Sequence, residues 1–170
     1  MRDVQELGLQ PDGSRTPPPT GEQIALVERL VGRSLPADYL ALLRSCNGCQ
    51  PTLDYFTVET AWGLQDYQVG AFYALSAATA DTDDSGEVVW RYLNGDPDVP
   101  PGVLPIGLTP LGDEIYLDLT ERGAGRVVLV QHELPAWASG DLPANTELLF
   151  EVAPSFAAFL DMLTVTPEEE

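Results

Sequence analysis

The sequence predicts an α+β fold, in which a mainly antiparallel, twisted sheet carries N-terminal helices and a C-terminal helix packed on it. Helical periodicity dominates residues 20–48, short β-rich segments separated by Gly and Asp turns fill the middle, and an apolar helix follows Pro154. Helices that flank a run of strands are typical of an antiparallel sheet covered on one face. A chain of 170 residues is long enough for one hydrophobic core.

The two ends of the chain are predicted to lie outside this domain. Residues 1–19 contain few apolar side chains and end in Pro17-Pro18-Pro19, so we expect a flexible, proline-rich N-terminal segment. Residues 165–170 are expected to form an acidic C-terminal tail. The folded domain should therefore span residues 20–164.

Two helices are predicted at the start of the domain. The first begins at Thr20, with Gln23 completing a capping box, and ends at Gly32. Its apolar face consists of residues at helical spacing, namely Ile24, Leu26, Val27, Leu30 and Val31. The second helix opens at Pro36, where the missing N–H would have no partner anyway. Its apolar stripe consists of Tyr39, Leu42, Leu43 and Cys46.

Cys46 and Cys49 form a Cys-x-x-Cys motif, which could indicate a redox pair, a zinc site or only the end of the second helix. A thioredoxin-type pair needs its first cysteine at a helix N-terminus, whereas Asn47-Gly48 is expected to close the helix here. Zinc needs about four ligands, and the chain has two cysteines and one histidine. The structural interpretation is favoured, with Cys46 as a small buried apolar residue. No metal or other cofactor is predicted.

Strands are predicted in the middle of the chain, interrupted by one short helix. Leu53–Thr60 and Val69–Ser76 are rich in aromatic and β-branched residues and are typical of strands. Further strands around Leu104, Ile115–Leu119 and Arg126–Gln131 are joined by Gly-containing turns, which predicts an antiparallel meander.

The short helix is expected within residues 81–96, capped by Ser85 and ended by Asn94-Gly95. Its inward face should consist of Val88, Val89, Tyr92 and Leu93. A last helix opens at Pro154 with an apolar face of Phe156, Phe159, Leu160 and Leu163.

The charge of the chain narrows the classes of partner. The net charge is −19, from 27 acidic and 8 basic residues, and every basic residue is an arginine. Such a chain has no basic stripe for phosphates or anionic membranes, and it attracts a basic partner instead. No apolar run has the length of a membrane span, and the N-terminus lacks the pattern of a signal peptide. We therefore expect a cytoplasmic protein.

Four segments, in this order, resemble the SUKH superfamily of Smi/Knr-type domains. They are "LPADYLALLRSCNG" (Leu35–Gly48), "LPIGLTPLGDEIYLDL" (Leu104–Leu119), "GRVVLVQHE" (Gly125–Glu133) and "VAPSFAAFLDML" (Val152–Leu163). The resemblance extends over about residues 20–163. The chain departs from the family pattern in its long proline-rich N-terminal segment and in an acidic insert near residues 81–98.

This resemblance implies a role in bacterial toxin immunity. Such domains commonly bind and neutralise a cognate toxin of a polymorphic or contact-dependent system, often a nuclease, whereas fungal relatives take part in regulating cell-wall synthesis. The family has no established catalytic constellation, so the resemblance implies no catalytic residue.

The residues themselves also give little reason to expect an enzyme. His132 ends a strand and lacks an evident nucleophile or orienting partner. Asp113 and Glu114 could be paired catalytic carboxylates, but their position after Leu111-Gly112 favours a hairpin turn. A small hydrolase that uses carboxylates is the weakest of the functional alternatives.

Two candidate surfaces for a partner stand out. The first is the acidic stretch around Trp90, a residue that projects away from the apolar face of its helix; its carboxylates are Asp81, Asp83, Asp84, Glu87, Asp96 and Asp98. The second is Ala61–Gln68, with Trp62, Asp66 and Tyr67. A solvated acidic face and ordinary packing of the aromatic residues in the core remain open alternatives for both.

The sequence therefore predicts a protein that inhibits a basic toxin, possibly a nuclease, by binding it through an acidic surface. Opposite charges would accelerate association, and a desolvated centre such as Trp90 would set the residence time. A regulatory or scaffolding domain with an intracellular partner is the alternative from another class.

Overall fold

A seven-stranded antiparallel sheet forms the centre of the molecule, as the computed structural model of residues 2–76, 87–96, 99–131 and 149–168 shows (backbone only for 13–15). Its strand order is β1-β2-β5-β6-β7-β8-β9. These strands are β1 (Gln10–Thr16), β2 (Asn47–Gln50), β5 (Ala71–Phe72), β6 (Val103–Leu108), β7 (Glu114–Asp118), β8 (Arg126–Val130) and β9 (Leu149–Ala153). A separate hairpin consists of β3 (Tyr55–Thr60) and β4 (Gly63–Gln68). The predicted α+β fold with a mainly antiparallel sheet is confirmed.

Four α-helices accompany the sheet within the described ranges: α1 (Gly21–Val31), α2 (Ala37–Ser45), α3 (Val88–Asn94) and α4 (Phe156–Met162). Alternation along the strands sends one set of side chains into the main core, for example Leu104, Ile115 and Val127. The other set forms a smaller cluster of Val103, Tyr116 and Val128 on the opposite face. The short helix α3 lies against β6, and its Arg91 reaches the first residue of β7.

Aromatic rings join the helices to the sheet in the main core. The rings of Tyr39 in α2 and Phe156 in α4 meet edge to face, with centroids 5.4 Å apart. Phe159 makes the same kind of contact with Phe56 of the hairpin, at 5.3 Å. In addition, an Asp38 carboxylate oxygen accepts a hydrogen bond of 2.8 Å from the backbone N–H of Ala157, so α2 caps the N-terminus of α4.

The predicted start of α1 is confirmed, but its apolar face is narrower than predicted. Thr20 and Gln23 form both hydrogen bonds of a capping box, and Gly32 ends the helix with φ +76°. Val27 and Val31 are buried, whereas Leu26 and Leu30 are each 38% exposed. Leu26 and Leu30 therefore lie at the edge of the predicted inward face, where solvent still reaches them.

The Cys-x-x-Cys segment is a junction between a helix and a strand, which corrects the predicted helix cap. The helix α2 ends at Ser45, the backbone of Cys46 is extended with φ −155°, and Asn47 already begins β2. Gly48 does have a positive φ of 77°, but it serves a close approach within the sheet, where an added Cβ would lie 2.9 Å from the Cβ of Ala74.

The N-terminal segment is packed against the domain, which differs from the flexible segment that the sequence predicts. Residues Val4–Leu7 form a 3₁₀ helix in which Leu7 is fully buried, and β1 pairs with β2. This strand is polar and lies at the sheet edge, so it lacks the alternation by which strands are recognised. At the other end, the Thr166 hydroxyl donates a 2.8 Å hydrogen bond to Asp54, which extends the packed chain beyond residue 164.

Candidate partner-binding surfaces

The acidic stretch around Trp90 is only partly described by the structure. Asp81, Asp83, Asp84 and Asp98 lie outside the described residues, and so does the predicted cap Ser85. The described residues on either side of positions 77–86 are joined to each other: the N–H of Val88 donates to the carbonyl of Ala74 at 2.9 Å.

Glu87 is a structural residue and not part of an exposed acidic surface. Its side chain caps α3 by accepting from the N–H of Trp90 at 2.9 Å, and its second oxygen accepts from the N–H of Ser76 at 3.0 Å. The residue is 1% exposed. These bonds replace the predicted cap by Ser85, and they withdraw Glu87 from the residues that a partner could contact.

Trp90 and Asp96 do lie at the surface. Trp90 is half-buried, consistent with its predicted projection away from the core, and Asp96 is exposed. A groove of about 360 Å³ lies between α3 and the sheet, and Asp96, Tyr92, Pro101 and Tyr116 are among its lining residues. Leu93, predicted to face inward, is 48% exposed, whereas Val88 and Val89 are buried as predicted.

Beneath Trp90, three side chains form what we call the Arg91 cluster: Tyr73, Arg91 and Glu114. The Arg91 guanidinium pairs with the Glu114 carboxylate at 3.0 Å and lies over the Tyr73 ring, 5.1 Å from its centroid. The Tyr73 hydroxyl donates a 2.9 Å hydrogen bond to the same carboxylate. Burial, and next the charge of Glu114, raise the pKa of Tyr73 well above its usual range.

The position of Glu114 in this cluster shows whether Asp113 and Glu114 could act as paired carboxylates. Consecutive residues of an extended chain point to opposite faces, and Glu114 reaches Arg91 and Tyr73 while the Asp113 charge acts on Tyr67 on the hairpin side. Asp113 is 7% exposed and follows the turn that contains Gly112 (φ +92°). The two carboxylates therefore do not form a pair. Asp113 belongs to the β6–β7 turn as predicted, whereas Glu114 is already the first residue of β7.

The second candidate surface lies on the β3–β4 hairpin, whose two faces differ. Phe56 and Tyr67 are paired across the strands and stack, with ring centroids 5.9 Å apart, on the buried face. Trp62 is half-buried, and its ring meets Phe150 of β9 edge to face at 6.3 Å. Of the predicted residues Trp62, Asp66 and Tyr67, only Asp66 belongs to the exposed face.

Asp66 forms one wall of a groove that we call the hairpin groove. The groove has a volume of about 330 Å³ and lies between the hairpin and the β6–β7 turn; it is lined by Tyr55, Asp66, Tyr67, Gln68, Thr109, Pro110, Leu111 and Thr166. Leu111 is 84% exposed. The Tyr55 pKa is raised, first by a hydrogen bond from its hydroxyl to Asp66.

The sequence interpretation missed Tyr55, Leu111 and Thr166 as lining residues of this groove. One signal was present: Leu111 stands between Pro110 and Gly112 in a turn, where an apolar side chain has no core to enter. The contribution of Thr166 could not be recognised, because it depends on the chain end folding back onto Asp54 and Gln68.

The two cysteines lie at the edge of the sheet that contains β1 and β2, where Cys49 is a residue of β2 and Cys46 precedes that strand. Cys46 is half-buried, Cys49 is buried, and both are free thiols. Burial, and next the neighbouring Cys46, raise the Cys49 pKa far above the usual thiol range. Within the ranges that the structure describes, no three His, Cys, Asp or Glu side chains are grouped so that they could hold a metal ion. His132 lies outside these ranges.

Comparison with known proteins identifies the class to which this fold belongs. The chain matches the SMI1/KNR4 family (SUKH-1) over residues 18–162. It is therefore a member of the SMI1/KNR4 family, which includes toxin-immunity proteins. No curated protein matches the sequence. Among the described residues, no helix is sufficiently long and apolar to cross a membrane.

Proposed function

We propose that this protein is an immunity protein that binds a cognate toxin of a polymorphic or contact-dependent system and neutralises it through an acidic surface. The observation that carries the proposal is the membership in a family that includes toxin-immunity proteins. The net charge of −19 then favours a basic toxin, and nuclease toxins are basic because they hold phosphates. The cytoplasm is the proposed site of action, and no cofactor is required.

The acidic surface in this proposal is centred on the half-buried Trp90 and includes the exposed Asp96 that follows the same helix. The carboxylates Asp81, Asp83, Asp84 and Asp98 are proposed to extend it, and Asp66 adds a second region on the hairpin. Long-range attraction would accelerate encounter, up to about 10⁸–10⁹ M⁻¹s⁻¹ at low salt. The aromatic centre would then supply short-range contacts that slow dissociation.

The proposal is tested by a search of the neighbouring genes for a toxin candidate and by co-expression with that candidate. We expect survival of the cells and co-purification of the two chains. The association rate constant should fall at least about tenfold between 20 mM and 300 mM salt, because screening shortens the range of the attraction. An association rate that does not respond to salt would contradict the electrostatic mechanism, and an absence of both protection and binding would contradict the function.

Inhibition is proposed to occur without catalysis, by coverage of the toxin. Titration of toxin activity should then end at a fixed ratio of the two chains and stay there with time. Progressive inactivation of excess toxin would indicate an enzyme instead. Binding of an endogenous regulatory protein without any protection against a toxin would favour the alternative function, an intracellular regulatory or scaffolding domain.

A further inference from the structure

We propose that the hairpin groove binds an arginine side chain of the partner protein, with the guanidinium over Tyr55 and against Asp66 and with a neighbouring apolar residue of the partner on Leu111. This inference rests on the proposed function only for the identity of the partner. The inference specifies the chemical groups of one contact, and membership in the family does not assign that contact.

The geometry of the hairpin places the recognition pair together. Tyr55 is opposite Gln68 and Thr57 is opposite Asp66, so Tyr55 and Asp66 are diagonal neighbours on the same face. Diagonal neighbours on an antiparallel pair lie about 7–8 Å apart, within reach of aromatic and polar side chains. Both residues line the groove, so a side chain that enters it meets an aromatic ring and a carboxylate at once.

The Arg91 cluster shows, within the same chain, what such a pair binds. There a tyrosine hydroxyl donates to a carboxylate, and an arginine lies over the ring, 5.1 Å from its centroid, while pairing with the carboxylate at 3.0 Å. The hairpin groove repeats the tyrosine and the carboxylate, but no arginine lines it in the part of the chain that the structure describes. A partner can therefore supply the third member.

The existing hydrogen bonds around the hairpin groove favour Asp66 as the acceptor for a guanidinium. Gln68 donates to Thr166 at 2.6 Å, and Thr166 donates to Asp54 at 2.8 Å, so these groups are already engaged with each other. A carboxylate has about four acceptor positions, and a bond from the neighbouring Tyr55 hydroxyl would occupy only one of them. Asp66 can thus still receive two parallel N–H bonds from a guanidinium.

Charge and apolar surface specify the rest of the occupant. Among the described lining residues, the only charged one is acidic, and the chain has a net charge of −19, so a cation is favoured over an anion. A guanidinium is planar, stacks on aromatic rings and is less strongly hydrated than an ammonium group, which favours arginine over lysine. Leu111, which is 84% exposed, offers apolar area that only an adjacent apolar group would cover.

The test titrates the isotope-labelled full-length protein with N-acetyl-leucyl-arginine amide and follows the NMR signals of Tyr55, Asp66 and Leu111. We expect saturable shifts of these signals with a dissociation constant on the order of 1 mM. The citrulline analogue, which has nearly the same shape without the charge, should bind at least about tenfold more weakly. Equal binding of the lysine analogue would overturn the assignment to arginine, and shifts confined to other residues would overturn the groove.

Two variants give the matched comparison. Asp66→Asn should weaken peptide binding at least about tenfold, whereas Glu121→Gln, which removes the same charge from an exposed residue at the opposite end of β7, should leave it unchanged. If the groove signals instead move with protein concentration without peptide, the occupant is a second copy of this chain, and the assignment to another protein is wrong.

A second arm separates this inference from the proposed function. If the toxin candidate is bound and neutralised, Asp66→Asn and Leu111→Ser should each weaken that complex, and unchanged affinity in both variants would overturn the groove while the function stands. If no toxin is bound but the arginine peptide still occupies the groove, the function fails and the chemistry of the groove stands.

Discussion

The Arg91 cluster and the hairpin groove use the same pair of groups in opposite ways. In both, a tyrosine lies close to a carboxylate on an antiparallel strand, and the carboxylate helps to raise the pKa of the tyrosine. In the cluster, an arginine of the same chain completes the pair, and the Glu114 side chain is only 16% exposed. In the groove, Asp66 is exposed and the neighbouring Leu111 is almost entirely in solvent.

This difference teaches how the chain distributes its few cations. All eight basic residues are arginines, and Arg91 is held where it neutralises a carboxylate that is largely withdrawn from water. Such a carboxylate would be costly without a partner. An exposed carboxylate such as Asp66 carries no such cost, because water solvates it. The closed pair therefore supports folding, and the open pair is available for recognition.

The largest expected difference between the Arg91 cluster and the hairpin groove is in the ionisation of their tyrosines at alkaline pH. Burial raises the pKa of Tyr39, Tyr73 and Tyr116 far above the usual value near 10. Above pH 10 the unfolded chain releases these protons first, so it binds fewer protons than the native state, and stability falls as pH rises. Each such tyrosine contributes a loss of about 1.4 kcal/mol per pH unit.

Urea unfolding at pH 9, 10 and 11 measures this loss, and absorbance at 295 nm reports ionisation. The pKa of Tyr55 is raised as well, but the residue lies on the exposed hairpin face. It should therefore ionise before the buried tyrosines, and Tyr55→Phe should remove absorbance that appears before unfolding. Tyr73→Phe should change only the absorbance that appears with unfolding and should reduce the slope of stability against pH. A native-state titration of Tyr73 at its ordinary pKa would show that the cluster is open.

Removal of the cation from the closed pair should have the next largest effect. Arg91→Gln leaves the Glu114 carboxylate, 16% exposed, without its ion pair and removes the stacking on Tyr73. We expect the free energy of unfolding to fall by about 2–3 kcal/mol at pH 7, measured by urea denaturation.

The exposed Arg122 provides the matched control for this change. Arg122→Gln alters the net charge equally and should change stability by less than about 0.5 kcal/mol. Equal effects of the two substitutions would mean that Arg91 acts only through net charge, and the contrast between the closed and the open pair would then lose its basis.

Much of the fold could be predicted from the sequence, because periodicity and caps are local signals. The capping box of Thr20 and Gln23 and the meander β6–β8 follow from neighbouring residues, and both are present. The edge strand β1 and the hairpin strand β4 were not predicted. The first strand is polar and paired on one side only. In "AWGLQDYQ", the aromatic residues indicate a partner surface more strongly than the weak alternation indicates a strand.

The candidate site was less predictable, because it depends on residues that meet only in the folded chain. Asp66 is exposed, and its predicted contact with a partner stays a prediction. Composition groups Glu87 with the surface acids, although its carboxylate accepts hydrogen bonds from two backbone N–H groups. Composition cannot distinguish a carboxylate that caps a helix from one that faces a partner. Tyr55 and Leu111 belong to different strands and turns, and only the tertiary structure places them around Asp66.

The smallest expected effect on stability is the most informative about recognition. Leu111 is 84% exposed at the tip of the β6–β7 turn, so Leu111→Ser removes almost no buried area. We expect the free energy of unfolding to change by less than about 0.5 kcal/mol, measured by urea denaturation beside Leu104→Ala, a fully buried leucine of β6 that should cost about 2–5 kcal/mol. A loss comparable to that of Leu104 would show that Leu111 is packed in solution, and the hairpin groove would then be closed. An unchanged stability would show that the apolar surface of Leu111 does not serve folding. Contact with another molecule, next to the solvated Asp66, would then explain that surface.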